Sequence, residues 1–419
     1  MPSPASWLAA YRRLAGRVRL GALGRLARVA PRTARFALRK GEAAPGLPIP
    51  RPPMTVGLLA GYALDEVVMS AFLGPSRFPD EHRAERVAAE LAQARRLYSE
   101  NGWLENPLGY HRQPPELTNR DVVISTGWRR GLSFRHLSWE SGYEPRANEP
   151  GRDRWDSYTA NRRAAADVVA DPNRLDRPWL VCVHGYTMGY PAMDFRGLQS
   201  KRLRSEMGLN LALPVLPLHG PRSPSRLSGE AFLSLEMMNS VHGFAQAVWD
   251  IRRLISWIRQ QGATKVGLYG VSLGGYTVAL LAGIESGLDA VVSGVPVSDV
   301  PQLMLGHSPP PVRAMADRYG LAEPGAHTVV SPLALAPKIA KDRRFIFAAC
   351  GDRISSPEQA CKLWRHWEEP EICWYPSGHI GYLWSREVAT FLGQSLRASL
   401  LEGVAVAAPG DDPPVRRTA

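Results

Sequence analysis

"GLYGVSLGGYTVALLAG", residues 267–283, sets a serine among glycines between two apolar runs. Ser272 is either a nucleophile on a strained turn or a small polar residue that sits between glycines. In 419 residues with 38 glycines, a random shuffle yields roughly a quarter of one G-x-S-x-G match, so the pattern alone decides little. Its surroundings decide more. "TKVGLYG" predicts a strand and "GGYTVALLAG" a helix, which places Ser272 on the strand-to-helix turn that a nucleophile elbow needs. Such a turn is too tight for neighbouring side chains, which accounts for Gly270, Gly274 and Gly275. The start of the helix also directs backbone N–H groups and positive potential at the hydroxyl.

The rhythm around the elbow extends through the second half of the chain. "PWLVCVHG" predicts a strand and "DFRGLQSKRLRSEMG" a helix, then "LNLALPVLPLHG" a second strand. "VHGFAQAVWDIRRLISWIRQQG" carries apolar residues at three-four spacing and predicts a long helix. Beyond the elbow, "LDAVVSGVPVSD", "RRFIFAACGD" and "EICWYPSGH" predict three more strands. Near-continuous apolar strands alternating with helices predict a mostly parallel sheet covered on both faces. Functional groups in such sheets gather beyond the carboxyl ends of the strands. Upstream, "LSFRHLSWESGYEP" alternates as an edge strand does, and residues 80–99 read as an amphipathic surface helix.

Charge is concentrated at the start. Residues 1–51 contain eleven basic residues against Glu42 alone, which supplies +10 of the formal +12. The remainder is nearly neutral, so a nucleic-acid-binding face is not expected on the folded body. Trp7, Leu8, Tyr11, Leu14 and Val18 stand at helical spacing among the arginines. This segment reads either as a basic tail or packed helix, or as an element touching an anionic membrane surface. "LPIPRPPMT" (47–55) is a Pro-rich linker. "VGLLAGYALDEVVMSAFLG" after it is apolar enough to suggest a membrane span, but Asp65 and Glu66 at its centre favour a helix docked on the protein. Cys182, Cys350, Cys361 and Cys373 form no C-x-x-C pair, and three of them lie in predicted buried strands. That usage suggests neither a disulfide framework nor a zinc site, and it fits a reducing, cytoplasmic setting with peripheral membrane contact left open.

A serine nucleophile needs a base, and the base needs an orienting acid. His379 in "YPSGHIGYLW" occupies a glycine-bearing turn after the last predicted strand, which favours it over His184 and His219, both of which precede Ser272. His242 falls inside a helix and reads as structural. Asp352 in "FAACGDRISSPEQ" follows a strand and is the preferred acid, with Asp299 in "GVPVSDV" as the alternative. An oxyanion hole needs two donors. The N–H of Leu273 is one by construction of the elbow, and "HGYTMG" offers Tyr186, ahead of Thr187, as the other.

"HGYTMG", "GVSLGG", "CGDRISSPEQ" and "SGHIGYLW", in that order, resemble the motifs of the α/β-hydrolase superfamily of serine esterases and lipases over roughly residues 130–400. The Ala-, Arg-, Gly- and Pro-rich usage is similar to that of bacterial members. The resemblance implies an α/β-hydrolase fold and hydrolysis of a carboxylic ester or thioester through an acyl-enzyme, with no metal or organic cofactor. Ser272, His379 and Asp352 would form the triad. The implied substrate is a small-molecule or lipid ester. An acyltransferase on the same fold and a non-catalytic binding protein are the alternatives. The expected layout is a basic extension with Pro-rich linker (1–53), a helical segment packed on the body (54–129), a hydrolase domain (130–402) with a cap at 301–330, and a disordered tail (403–419).

Overall fold

The computed structural model describes residues 29–38, 47–72, 81–321, 323 and 325–402. The predicted helix around residues 7–18 and the tail at 403–419 lie outside them. Among the described residues three helices precede the sheet: α1 (Val29–Leu38), α2 (Val56–Phe72) and α3 (Glu81–Glu100). Nine strands follow: β1 (Val123–Arg129), β2 (Leu132–Glu140), β3 (Arg163–Val169), β4 (Trp179–Val183), β5 (Asn210–Pro214), β6 (Val266–Val271), β7 (Ala290–Gly294), β8 (Arg344–Ala349) and β9 (Glu371–Tyr375). Interleaved with them are the helices of seven residues or more: α4 (Pro191–Gly197), α5 (Ser200–Met207), α6 (Met237–Gln260), α7 (Leu273–Ile284), α8 (Val300–His307), α9 (Pro310–Arg318), α10 (Pro357–His366) and α11 (Arg386–Leu396).

The sheet order is β1-β2-β3-β5-β4-β6-β7-β8-β9. From β5 to β9 every pairing is parallel, whereas β1, β2 and β3 pair antiparallel, the last of them also against β5. This is the mostly parallel, doubly covered sheet expected from the sequence. The strands are buried along their length because both faces are occupied: β4, β5, β6, β7 and β8 expose no residue. Alternation then sorts side chains into two cores. Trp179, Val181 and Val183 of β4 pack with α6 and α7, while Leu180 and Cys182 face α5 and α11.

Three differences from the sequence-based expectation have local causes. β2 is not the edge; β1 pairs with it, and the hairpin crosses the expected boundary at residue 130. β1 escapes periodicity analysis because most of it is exposed on both faces. β3 escapes because "RAAADVV" is rich in alanine, and only its position between β2 and β5 buries it. The helix expected over "DFRGLQSKRLRSEMG" is two helices, broken where Gln199 takes a left-handed φ of 53°.

α2 docks on the body. Asp65 and Glu66 are both buried, on the same side as Leu58 and Tyr62. No helix of the described residues is long and apolar enough to span a membrane. Close approach is permitted by glycine: a Cβ on Gly61 would stand 2.5 Å from the backbone nitrogen of Gly378. α1 covers α2, with Phe36 stacked on Tyr62 at 4.2 Å and Arg32 paired with Glu66 at 2.7 Å.

A buried ion pair fixes the segment after β5 against α6. Arg222 donates to Asp250 at 2.8 Å and to the carbonyls of Val215 and Asn161 at 2.8 and 3.0 Å. Asp250→Ala leaves that guanidinium buried without its counter-charge, and a loss of about 3–5 kcal/mol is expected in urea unfolding.

Candidate active site

Ser272 sits between β6 and α7 with φ 57° and ψ −116°, a conformation that a side-chain-bearing residue keeps only under constraint from its surroundings. The constraint is backbone packing. A Cβ on Gly270 would stand 2.2 Å from the carbonyl oxygen of Gly274, and one on Gly274 would stand 2.1 Å from that of Val183. These glycines let α7 begin directly over β4 and β6. The turn is closed by Ser272 N–H donating to Gly294 O at 2.9 Å and Tyr276 N–H donating to Ser272 O at 3.0 Å. Leu273 opens α7, so its N–H has no acceptor within the helix.

His379 is buried after β9 and donates from Nδ1 to Oδ2 of Asp352 at 2.7 Å. The other oxygen of Asp352 accepts from the N–H groups of Ile354 and Ser355 at 2.8 and 2.7 Å, which locks the carboxylate. Because a carboxylate can only accept, Nδ1 holds the proton and Nε2 is left as the basic nitrogen. Burial pushes the His379 pKa down, yet the charge and hydrogen bond of Asp352, with a further contribution from Asp65, outweigh it and leave the pKa raised above 6.5.

Ser272, Leu273, His379 and Tyr186 line one cavity of about 830 Å³. Asp352 stands behind His379, while Asp299 is directed elsewhere. Its carboxylate caps α8 through Gln302 N–H at 3.0 Å and pairs with Lys362 at 2.9 Å. The three histidines weighed against His379 in the sequence each bond to the backbone. His184 accepts from Leu216 N–H at Nε2 and bonds Gly185 O through Nδ1, and burial drops its pKa to about 4. His219 bonds Pro217 O and His242 bonds Pro150 O. The loop carrying Tyr186 is held by Asp194, which accepts from Gly189 N–H at 3.0 Å. Thr187 in that loop has a left-handed φ of 67° and also lines the cavity.

Asp65 is the residue that sequence reasoning did not place here. Its Oδ2 accepts from the backbone N–H of His379 at 2.7 Å and of Arg353 at 3.1 Å. The available signal was the pair of acids at the centre of an otherwise apolar helix. That signal favoured a docked helix over a membrane span without showing what the acids face.

No established protein-family profile matches the chain. It is 42% identical over 367 residues to the uncharacterised protein Rv2627c of Mycobacterium tuberculosis H37Rv, covering 86% of each chain. The uncharacterised protein MT2702 of M. tuberculosis strain CDC 1551 is similar to the same extent. Among solved structures, an acetyl xylan esterase from Paenibacillus sp. R4 is 14% identical with a TM-score of 0.48, over 71% of this chain and 99% of that one. An acetyl xylan esterase from Thermoanaerobacterium sp. JW/SL YS485 has the same identity and TM-score, over 72% and 92%.

Asp352→Asn keeps the shape of the acid and removes its charge. Burial then dominates, and the His379 pKa is expected to fall below 6.5 in an NMR titration of the imidazole.

Proposed function

The chain belongs to the family of the M. tuberculosis protein Rv2627c and has the α/β-hydrolase fold, and we propose that it is a serine hydrolase of carboxylic esters or thioesters. The observation that carries the reading is the pairing of a serine at φ 57° with a cavity that also contains a histidine bonded to a buried aspartate. Strain of this kind is kept where the rest of the fold enforces it, and it clusters at sites of chemistry.

In the proposed mechanism Ser272 Oγ attacks the substrate carbonyl carbon while His379 Nε2 takes the hydroxyl proton. Asp352 holds Nδ1–H and stabilises the imidazolium that forms. The carbonyl oxygen becomes an oxyanion, met by the N–H groups of Leu273 and Tyr186. Collapse breaks the bond to the leaving alcohol or thiol, which receives the proton from His379. Water then attacks the acyl-enzyme, His379 again accepting the proton, and the acid leaves with Ser272 restored. Every proton moves between the serine, the imidazole, water and the leaving group.

The cavity wall favours an acyl chain as the substrate's larger part. Six of the ten methionines line it (Met69, Met188, Met193, Met237, Met304 and Met315), joined by leucines of α8 and of the segment before α6. Methionine is flexible and polarisable, so such a wall adapts to chains of different length. Charged residues line it as well, among them Arg83 and Glu236, which are paired at 2.8 Å. The segment 301–330 expected to cap the site supplies Leu303, Met304, Met315 and Leu321 to the wall. At about 830 Å³ the cavity is at the upper end of ligand-pocket sizes, roughly 300–1,000 Å³.

Ser272→Ala is expected to abolish labelling by a fluorophosphonate probe and to lower ester hydrolysis by at least about four orders of magnitude. Labelling that persists in the variant refutes the assignment. Asp352→Asn should lower turnover strongly, whereas Asp299→Asn should leave it near wild type. Across a series of p-nitrophenyl esters, kcat/KM is expected to rise about fourfold per buried methylene until the cavity fills. A preference for acetyl over longer esters refutes the acyl-chain reading. The wild-type rate should increase with pH through a value above 6.5, as His379 loses its proton.

A further inference from the structure

Asp65 lies outside the predicted hydrolase domain, on a helix that precedes the sheet by fifty residues, yet its side chain is wholly buried against the two loops that carry the acid and the base. We propose that Asp65 is a positioning residue for the reaction: its carboxyl ties the loop of His379 to the loop of Asp352, and so sets where the imidazole stands relative to Ser272 and places a second acid beside it. The proposal rests on the roles given above to Ser272, His379 and Asp352.

The geometry is specific. One oxygen, Oδ2, accepts from His379 N–H at 2.7 Å and Arg353 N–H at 3.1 Å, so a single atom spans the two loops. The carbonyl of His379 is held from the other side by the Tyr375 hydroxyl at 3.2 Å. With both backbone groups of His379 bonded, the ring has little freedom besides its own torsions. α2 is seated closely enough for this because Gly61 and Gly378 touch through their backbones. A Cβ on Gly378 would stand 2.4 Å from Gly61 O and 2.7 Å from Asp65 Oδ2. A second tie lies alongside, where Glu66 pairs with Arg353 at 2.8 Å and with Arg32 of α1 at 2.7 Å.

A helix that only needed to dock would not require an ionisable group here. An amide could accept the same two N–H bonds without a charge to bury, and Oδ1 of Asp65 has no hydrogen-bond partner among the described residues. The acid is therefore distinguished by its effect on its neighbours. Tyr62 and Glu66 neighbour it on its own helix, Asp352 and Arg353 face it from the loop after β8, and Tyr375 and His379 from β9 and its turn, while Arg32 of α1 pairs with Glu66. His307 of α8 bonds Ile354 O at 2.7 Å on the far side of the acid loop. Burial and the nearby Asp352 push the Asp65 pKa up to about 7, against the opposing pull of His379. When ionised, Asp65 favours the imidazolium form of His379. A folded-state pKa above the unfolded value also has a stability consequence. The neutral carboxyl stabilises the fold fully below about pH 4, and that contribution is lost as pH rises through about 7.

The test compares Asp65→Asn, which keeps an acceptor and removes the charge, with Asp65→Ala, which removes both, in the full-length protein. His379 is titrated by NMR with isotope-labelled histidine, and labelling by a fluorophosphonate is timed from pH 5 to 9. In Asp65→Asn the His379 pKa and the acid limb of labelling should both move to lower pH. In Asp65→Ala the plateau labelling rate should fall on the order of tenfold to a hundredfold, as a displaced catalytic group requires. An unmoved His379 titration in Asp65→Asn overturns the proposal, and so does a wild-type plateau in Asp65→Ala. If Asp65→Ala does not fold, the Asp65→Asn titration decides alone. A wild-type protein that the probe never labels would instead sink the serine-hydrolase reading, while the titration would still report whether Asp65 acts on His379.

Discussion

The architecture turns on a contact between backbones. The carbonyl of Val183 at the end of β4 lies where a Cβ on Gly274 would be, and the carbonyl of Gly274 lies where one on Gly270 would be. Any side chain at these positions would push α7 away from the sheet. Without that proximity the chain leaving β6 could turn gradually, and Ser272 would have no reason to adopt φ 57°. The sheet order follows from the same region: β4 and β6 are adjacent and parallel, so the turns after them open onto one rim. The loop bearing Tyr186 and the elbow bearing Ser272 are neighbours for that reason.

On the histidine side of the site, burial and neighbouring negative charge oppose each other. A fully buried imidazole should resist protonation, and His184 and His219 behave that way, with pKa values lowered by burial. His379 differs because it is bonded to a locked carboxylate and stands near a second one. Three ionisable groups in so small a volume cannot all be charged without cost, and the structure resolves this by raising the proton affinity of Asp65 as well as of His379. Asp194 under the Tyr186 loop is a parallel case: burial raises its pKa to about 7 while it accepts from the Gly189 N–H. Buried acids thus hold both loops that approach the proposed nucleophile.

Helices outside the sheet complete the chamber. α8 and α9 contribute Leu303, Met304 and Met315, the segment before α6 contributes Leu233 and Leu235, and α2 contributes Val68 and Met69. α2 therefore serves two ends: one side of it braces the loops that carry Asp352 and His379, and its last turn joins the cavity wall. The elements before the sheet cannot be treated as an appendage to it.

The glycine-bounded turn at Ser272 and the strands after residue 176 were legible in the sequence, because each is written locally: apolar runs of strand length and glycines at a tight turn. β1 and β3 were not, since an exposed edge strand and an alanine-rich strand have no periodicity of their own and are defined by their partners. The sequence preferred Asp352 to Asp299 although both follow strands; the structure shows Asp299 paired with Lys362 and capping α8. Asp65 is the clearest case. The sequence alone indicated that an apolar helix with two acids at its centre docks on the protein, since a charge in the middle of a bilayer is too unfavourable. Only the tertiary structure decided that the partners are the backbone amides of residues 353 and 379, because contacts between positions about three hundred residues apart depend on how the whole sheet brings its loops to one rim.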